Sequence, residues 1–158
     1  MRHEWLLGLL LAAGACWAGE ASAPESTALV FSYSASDGEF SVSLDLYADR
    51  RWRRSEHSGT VPPQGRLSPA QMQTMLQLLD AAPFRTDPAP CDVNPIGHAD
   101  YRDARDDRAA HGRTGQSPEG GWIPCDEQVD PVTARLPSCL EALIDGTDAS
   151  PRACAVDL

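Results

Sequence analysis

The residues best able to do chemistry are the histidines and aspartates between His98 and His111. If this segment is helical, Asp103, Asp107 and His111 share one face, because their spacing is i, i+4, i+8. Two carboxylates and an imidazole so arranged could bind a divalent cation, as a small envelope hydrolase or metal-dependent enzyme would require. Arginines interleave with these aspartates, however, and mixed charge is typical of a solvated segment. The pattern therefore predicts no metal ion and no other cofactor.

Ser117 is the serine whose surroundings come nearest to a catalytic motif. The segment GQSPEG around it departs from G-x-S-x-G, and its proline does not suit the strand-turn-helix elbow of that motif. The sequence has no G-x-G-x-x-G, P-loop or H-E-x-x-H pattern. We therefore predict that the protein is not an enzyme and has no catalytic residue, with the hydrolase above as the alternative.

The first 23 residues have the features of a secretory signal. Arg2 precedes a leucine-rich run, and Ala-Ser-Ala ends the segment as a cleavage site would. The run is shorter than the roughly 20 apolar residues that span a bilayer, so no integral membrane segment should remain after cleavage. We predict a periplasmic or secreted bacterial protein that begins at Pro24. The alternative is a lipoprotein anchored at Cys16.

Cleavage would leave four cysteines, namely Cys91, Cys125, Cys139 and Cys154. An even number in an oxidising compartment predicts disulfides, and the absence of a C-x-x-C pair disfavours zinc. Of the three connectivities, we predict Cys91–Cys125, which closes a long loop, and Cys139–Cys154, which holds the C-terminal tail to a short helix.

Composition narrows the class of partner. All 13 basic residues are arginine, and the formal net charge of −10 is spread without a basic patch. Nucleic acid and anionic membrane surfaces are therefore disfavoured, because both require a cationic face. The length predicts one exported domain over residues 24–158, with a patterned part at 29–84 and a loop-rich, disulfide-linked part at 85–158.

The patterned part predicts an α+β fold with three to four antiparallel strands before residue 66. Alternation in the segment FSVSLDLY predicts a strand with one buried face. Ser68 and Gln71 form a capping box for an amphipathic helix over residues 69–82, which should cover that face. The predicted core comprises Phe31, Phe40, Val42, Leu44, Leu46, Trp52, Leu76 and Leu79.

The second part has weaker patterning. Ser138 and Glu141 form another capping box, which with Gly146 as C-cap predicts a short helix over about residues 139–145. Between Cys91 and Cys125 we predict a loop that binds an unknown protein partner. Tyrosine, tryptophan and arginine are enriched at interface hot spots, and the candidate residues of these types are Tyr101, Arg102, Arg105, Arg108 and Trp122.

The order of strand, polar turn, alternating strand and the helix LSPAQMQTMLQLLDAAPF resembles the emfourin-type inhibitors of thermolysin-like proteases. Similar small exported bacterial domains share this plan. The resemblance covers residues 31–84 and implies a sheet with one helix and a protease-inhibitory activity. The chain differs from the family in its SASDG turn, where a Gly-Gly turn is expected, and in its long segment between Cys91 and Cys125.

Overall fold

The structure, a computed structural model, describes residues 28–56, 63–91, 95–116, 122–146 and 153–155. The predicted signal, Cys16, Pro24 and Ser117 lie outside the described residues. The backbone of Trp122 is described but its side chain is not. Predictions that depend on these residues remain predictions.

Within the described residues, nine strands form two antiparallel sheets. Their bounds are β1 (Leu29–Ser36), β2 (Ser41–Tyr47), β3 (Arg51–Glu56), β4 (Gln64–Arg66), β5 (Thr86–Ala89), β6 (Pro95–Asp103), β7 (Arg108–Gln116), β8 (Trp122–Pro124) and β9 (Asp126–Val129). The larger sheet has seven strands in the order β4-β3-β2-β1-β6-β7-β8, and β5 pairs with β9 in the smaller. The fold is α+β, as predicted.

In the part of the chain that the structure describes, three helices accompany the sheets: α1 (Pro69–Ala81), α2 (Pro131–Ala134) and α3 (Leu136–Asp145). The capping box predicted for α1 is confirmed, since Ser68 Oγ accepts from the Gln71 amide and Gln71 Oε1 accepts from the Ser68 amide. Gln71 also donates through Nε2 to the Leu143 carbonyl oxygen at 2.6 Å, which joins α1 to α3. None of the described helices is long and apolar enough to cross a membrane.

One face of the large sheet packs against the helices. Phe31, Leu44 and Leu46 from β1 and β2 are fully buried with Met75 and Leu79 of α1. These side chains share one face because strand residues two apart point the same way and the register aligns Phe31 with Leu46. Val42 is half-buried, and Trp52 and Leu76 pack against the core at its margin.

Phe40 is the error in the predicted core, because its side chain is 71% exposed. It precedes β2 at the tip of the β1–β2 hairpin, and the alternation extends one residue beyond the paired strand. The predicted cap at Ser138 is also wrong. The helix α3 begins at Leu136, with Arg135 at its N-cap and Pro137 in its first turn, while the C-cap at Gly146 is confirmed with φ 62°.

The predicted sheet of three to four strands is too small, and strands and helices make up most of the described residues of the second part. The four strands before residue 66 are present, but β6, β7 and β8 extend the same sheet, with β6 pairing directly with β1. The segment between His98 and His111 is thus a β-hairpin rather than a helix. Apart from Tyr101, its core-facing residues are small or charged, so apolar periodicity does not reveal them.

Both predicted disulfides are confirmed. Cys91 is paired with Cys125, with Cα atoms 4.6 Å apart, and Cys139 is paired with Cys154, with Cα atoms 4.8 Å apart. The first joins the end of β5 to the start of β9. The second joins α3 to the described C-terminal residues 153–155, and both of its cysteines are buried.

Candidate functional site

The outer face of the β6–β7 hairpin carries a cluster of imidazoles and carboxylates. His98 and Asp100 lie two residues apart on β6, and His111 on β7 is directly opposite Asp100. All three side chains are about half exposed. The histidine and aspartate side chains of the segment predicted to bind a metal therefore become neighbours through strand register, not on one face of a helix.

Distances within this cluster are short. His111 Nδ1 lies 2.5 Å from Asp100 Oδ1, and His98 Nε2 lies 3.8 Å from Asp100 Oδ2. The two imidazole rings are stacked with their centroids 6.1 Å apart. On the other side of His111, Nε2 lies 3.5 Å from Glu127 Oε2 of β9. We call these four residues, His98, Asp100, His111 and Glu127, the histidine–carboxylate cluster.

Glu127 reaches this cluster because the small sheet packs beside β7. The Thr86 hydroxyl donates to the His111 carbonyl oxygen at 2.8 Å and accepts from the His111 amide at 3.1 Å. Gly112 permits the approach, since a Cβ at that position would lie 2.9 Å from Cγ2 of Val129. Sequence reasoning missed Glu127, because only the tertiary packing of β9 brings it to the hairpin.

The metal-binding face predicted for a helical segment does not form. Asp103 and His111 lie on opposite faces of the hairpin, and Asp107 lies in its turn with a mostly exposed side chain. The carboxylate of Asp107 is paired with Arg102 at 2.9 Å. Asp103, whose side chain is fully buried, belongs to the core side.

Asp103 binds two of the arginines proposed for partner recognition. Arg105 donates to both carboxylate oxygens at 2.9 and 2.8 Å, and Arg108 donates to Oδ2 at 2.6 Å. Burial of this carboxyl raises its pKa, but the hydrogen bonds from the two guanidinium groups outweigh burial and leave the pKa below its ordinary value. Arg105 and Arg108 therefore have a structural role here.

Tyr101 is also unsuited to a contact surface, because its side chain is 8% exposed. Its ring lies 5.1 Å from that of Tyr33 between centroids, and burial raises the pKa of its hydroxyl. Among the proposed partner-binding residues whose side chains are described, Arg102 is the one that is both exposed and out of contact with Asp103. Its guanidinium pairs with the exposed Asp107 instead. The candidate binding loop is thus corrected to a structured hairpin.

The exposed large hydrophobic residues are not among those proposed for partner binding. Within the described part of the chain these are Phe40 and Ile96, with 71% and 49% exposure. Ser36, which ends β1, pairs with His98, so the β1–β2 hairpin tip and the start of β6 lie at the same end of the sheet. A shallow cavity of about 330 Å³ lies at this end, lined in part by Val42, Ser55 and His98.

The turn that presents Phe40 is held by its own hydrogen bonds. Asp37 Oδ1 accepts from the Phe40 amide at 2.7 Å and the Glu39 amide at 3.0 Å, and the Asp37 amide donates to the Phe40 carbonyl oxygen at 3.1 Å. These backbone amides lower the pKa of the Asp37 carboxyl. Gly38 adopts φ 92°, which glycine accepts without steric cost.

A second cavity, of about 590 Å³, lies along β3 and β4. Trp52 and Gly65 line it, and a Cβ at position 65 would lie 2.8 Å from Cζ2 of that indole. Arg51 and Arg66 on its rim are both paired with Asp49. That carboxylate offsets the charge of two of the three arginines that line the cavity, which weakens it as a site for an anion.

Cys91, Cys125 and Asp126 are the described residues whose potential metal-ligand atoms lie mutually within 4.8 Å. Their arrangement is explained by the disulfide, which leaves no thiolate to bind a metal. Comparison of the chain with protein-family models, curated proteins and solved structures finds no match in any of the three.

Proposed function

We propose that this protein is an exported, non-catalytic module that binds another protein through the end of the sheet that carries Phe40 and Ile96. The observation that supports this most is Phe40, whose aromatic ring is 71% exposed at the tip of a hydrogen-bonded turn. Aromatic side chains are frequent interface anchors, and a turn that is already ordered loses little entropy on binding. The two disulfides support an oxidising compartment.

Catalysis by the 98–111 segment has less support. The His111 ring lies between two carboxylates, Asp100 and Glu127, and the hydrogen bonds of the described residues bring no serine or threonine hydroxyl to its nitrogens. A hydrolase with an activated hydroxyl would need that contact. The binding module is therefore the better proposal for this fold.

The resemblance to emfourin-type inhibitors identifies the first partner class to test. The exported, disulfide-bonded protein should be titrated into a thermolysin-like protease and the residual peptidase activity measured. Inhibition that Phe40→Ser weakens at least about tenfold would support both the partner class and the surface. Gln73→Ser, on the exposed side of α1, is the matched control and should inhibit like the parent protein.

A photocrosslinking experiment tests the surface with any other partner. p-Benzoylphenylalanine placed at position 40, and separately at position 73, would be irradiated in the envelope of the host. The proposal expects a discrete protein adduct at position 40 that is missing at position 73 and is competed away by the parent protein but not by Phe40→Ser. Equal adducts at both positions, or none at position 40, would overturn it.

A further inference from the structure

Two carboxylates, those of Asp37 and Glu39, flank the exposed ring of Phe40. Neither makes an ion pair with an arginine or a histidine of the described residues. The Asp37 carboxylate is fixed beside the ring, because it accepts from the Phe40 amide at 2.7 Å. That hydrogen bond is the main cause of the lowered pKa of the Asp37 carboxyl, which is therefore ionised near neutral pH. The turn thus presents an aromatic ring between two negative charges that no cation offsets.

This combination sets the turn apart from the other acidic positions that the structure describes. At the same end of the sheet, Glu56 pairs with Arg54 at 2.7 Å, so its charge is offset. Asp145, at the end of α3, is the other exposed carboxylate without an ion pair in the described ranges. No exposed large hydrophobic residue of those ranges accompanies it, since these are Phe40 and Ile96. We call Asp37, Glu39, Phe40 and Ile96 the Phe40 surface.

We infer that the partner of the Phe40 surface is a protein that receives the ring in an apolar pocket with arginine or lysine side chains on its rim. This inference rests on the proposed function. Burying the ring brings the two flanking carboxylates to the edge of the interface, where they lose part of their hydration. A cation opposite them offsets that cost and attracts the two proteins before they touch. Arginine suits this position best, because its guanidinium binds a carboxylate through two hydrogen bonds and is enriched at interfaces.

The same two charges oppose other occupants. A second copy of this chain docked turn to turn would bring four carboxylates of the same sign into one interface, and their repulsion disfavours that contact. An anionic membrane surface would repel the turn in the same way. Ile96 adds apolar area at this end of the sheet, which a protein pocket can cover together with the ring.

Crosslinking followed by binding kinetics tests the charge of the partner. The protein captured by p-benzoylphenylalanine at position 40 would be identified by mass spectrometry, and the crosslinked peptide locates the site on its surface. That partner would then be purified, and its association rate with the full exported protein measured by surface plasmon resonance at several salt concentrations. We expect arginine or lysine residues around the crosslinked site and an association rate that falls steeply with salt, because salt screens exposed charges.

The double variant Asp37→Asn/Glu39→Gln removes both charges and keeps an acceptor oxygen for the amides of the turn. We expect the association rate at low salt to fall about tenfold, and the difference from the parent protein to vanish at about 1 M salt, where the Debye length is roughly 3 Å. The matched control Asp107→Asn/Asp145→Asn makes the same change in net charge at exposed positions outside the Phe40 surface. Its association rate should stay within about twofold of the parent rate.

The outcomes separate this inference from the proposed function. No adduct at position 40 would overturn the proposed function and this inference with it. An adduct whose partner associates at a rate that neither salt nor the double variant changes would overturn this inference alone. Equal losses for the two double variants, an adduct with a second copy of the chain or an adduct with lipid would also contradict it. Glu39→Gln alone, which leaves the Asp37 hydrogen bonds in place, should slow association about threefold and replaces the double variant if that protein fails to fold.

Discussion

Arg108 and Asp103 form a cross-strand pair at the closed end of the β6–β7 hairpin, with guanidinium Nη2 2.6 Å from the carboxylate Oδ2. The same guanidinium donates to the carbonyl oxygens of Ala82 at 2.7 Å and Leu79 at 2.9 Å, and it lies over the ring of Phe84. The pair thus attaches the hairpin to the C-terminal end of α1, where the last backbone carbonyls of a helix have few intrahelical partners.

Replacing this buried carboxylate should destabilise the fold. Asp103→Asn removes the negative charge that Arg105 and Arg108 share. We expect a loss of about 2–4 kcal/mol in the free energy of unfolding. This is somewhat below the usual cost of breaking a buried ion pair, because both arginines are partly exposed. Urea unfolding measures it. Asp107→Asn, in an exposed pair, should cost less than about 0.5 kcal/mol. Equal losses for the two variants would contradict the role given to Asp103.

Acid should destabilise the protein through Asp103 and Asp130. Asp130 is buried, which raises its pKa, but the backbone amides of Thr133, Arg85 and Val132 donate to it and leave the pKa lowered. Both carboxyls therefore bind protons at lower pH in the folded chain than their unfolded value of about 3.9. These two groups therefore contribute stability that is fully present near neutrality, and the free energy of unfolding should fall as the pH drops from about 5 through their lowered folded-state pKa values.

Urea unfolding at a series of pH values tests this dependence. The parent protein should lose stability between about pH 5 and its lowered folded-state pKa values, and Asp103→Asn should show a shallower decline because one of the two groups no longer titrates. If the two proteins decline in parallel, Asp103 does not contribute.

Truncating two apolar residues of one predicted strand should change stability by very different amounts. Leu44→Ala, at a fully buried position, should cost about 2–5 kcal/mol because it leaves a cavity. Phe40→Ser, at the exposed tip, should change stability by less than about 0.5 kcal/mol. Thermal unfolding of both variants is sufficient, and a large loss for Phe40→Ser would place that ring in the core.

The disulfide between Cys139 and Cys154 should contribute roughly 3 kcal/mol, mainly by restricting the unfolded chain. Substituting both cysteines by serine removes it, and the unfolding midpoint in urea would fall accordingly. Ser138→Ala is a suitable control because that side chain is exposed on α3. An unchanged midpoint for the double variant would show that this bond adds no stability.

Local signals in the sequence were sufficient to predict the helix α1. Ser68 and Gln71 bond to each other's backbone at the helix start, so their types and spacing define where the helix begins without tertiary information. Local alternation also indicated β2, whereas the three-residue β4 has no such pattern. The disulfide pairing, which is confirmed, was predicted from the long segment and the tail that lacked apolar patterning of their own.

The β6–β7 hairpin could not be recognised in this way. Its inward positions hold Tyr101 beside Ala99, Asp103, Arg108 and Ala110, so small residues and an ion pair occupy most of the core side. A buried aspartate has the same appearance in a sequence as a solvated one. The histidine–carboxylate cluster was hidden for the same reason, since it exists only once this hairpin and β9 are in place.

The position of β1 in the large sheet has a consequence for how the chain reaches its native state. β1 lies between β2, which follows it at once, and β6, so that Phe31 must find Asp103 across most of the described sequence. Closing so long a segment is entropically costly, and sheets with distant pairings fold slowly. In a chain delivered N-terminus first, one edge of β1 remains unpaired until β6 emerges. During that interval the unpaired edge of β1 can pair with another chain, and a chaperone bound there would prevent it.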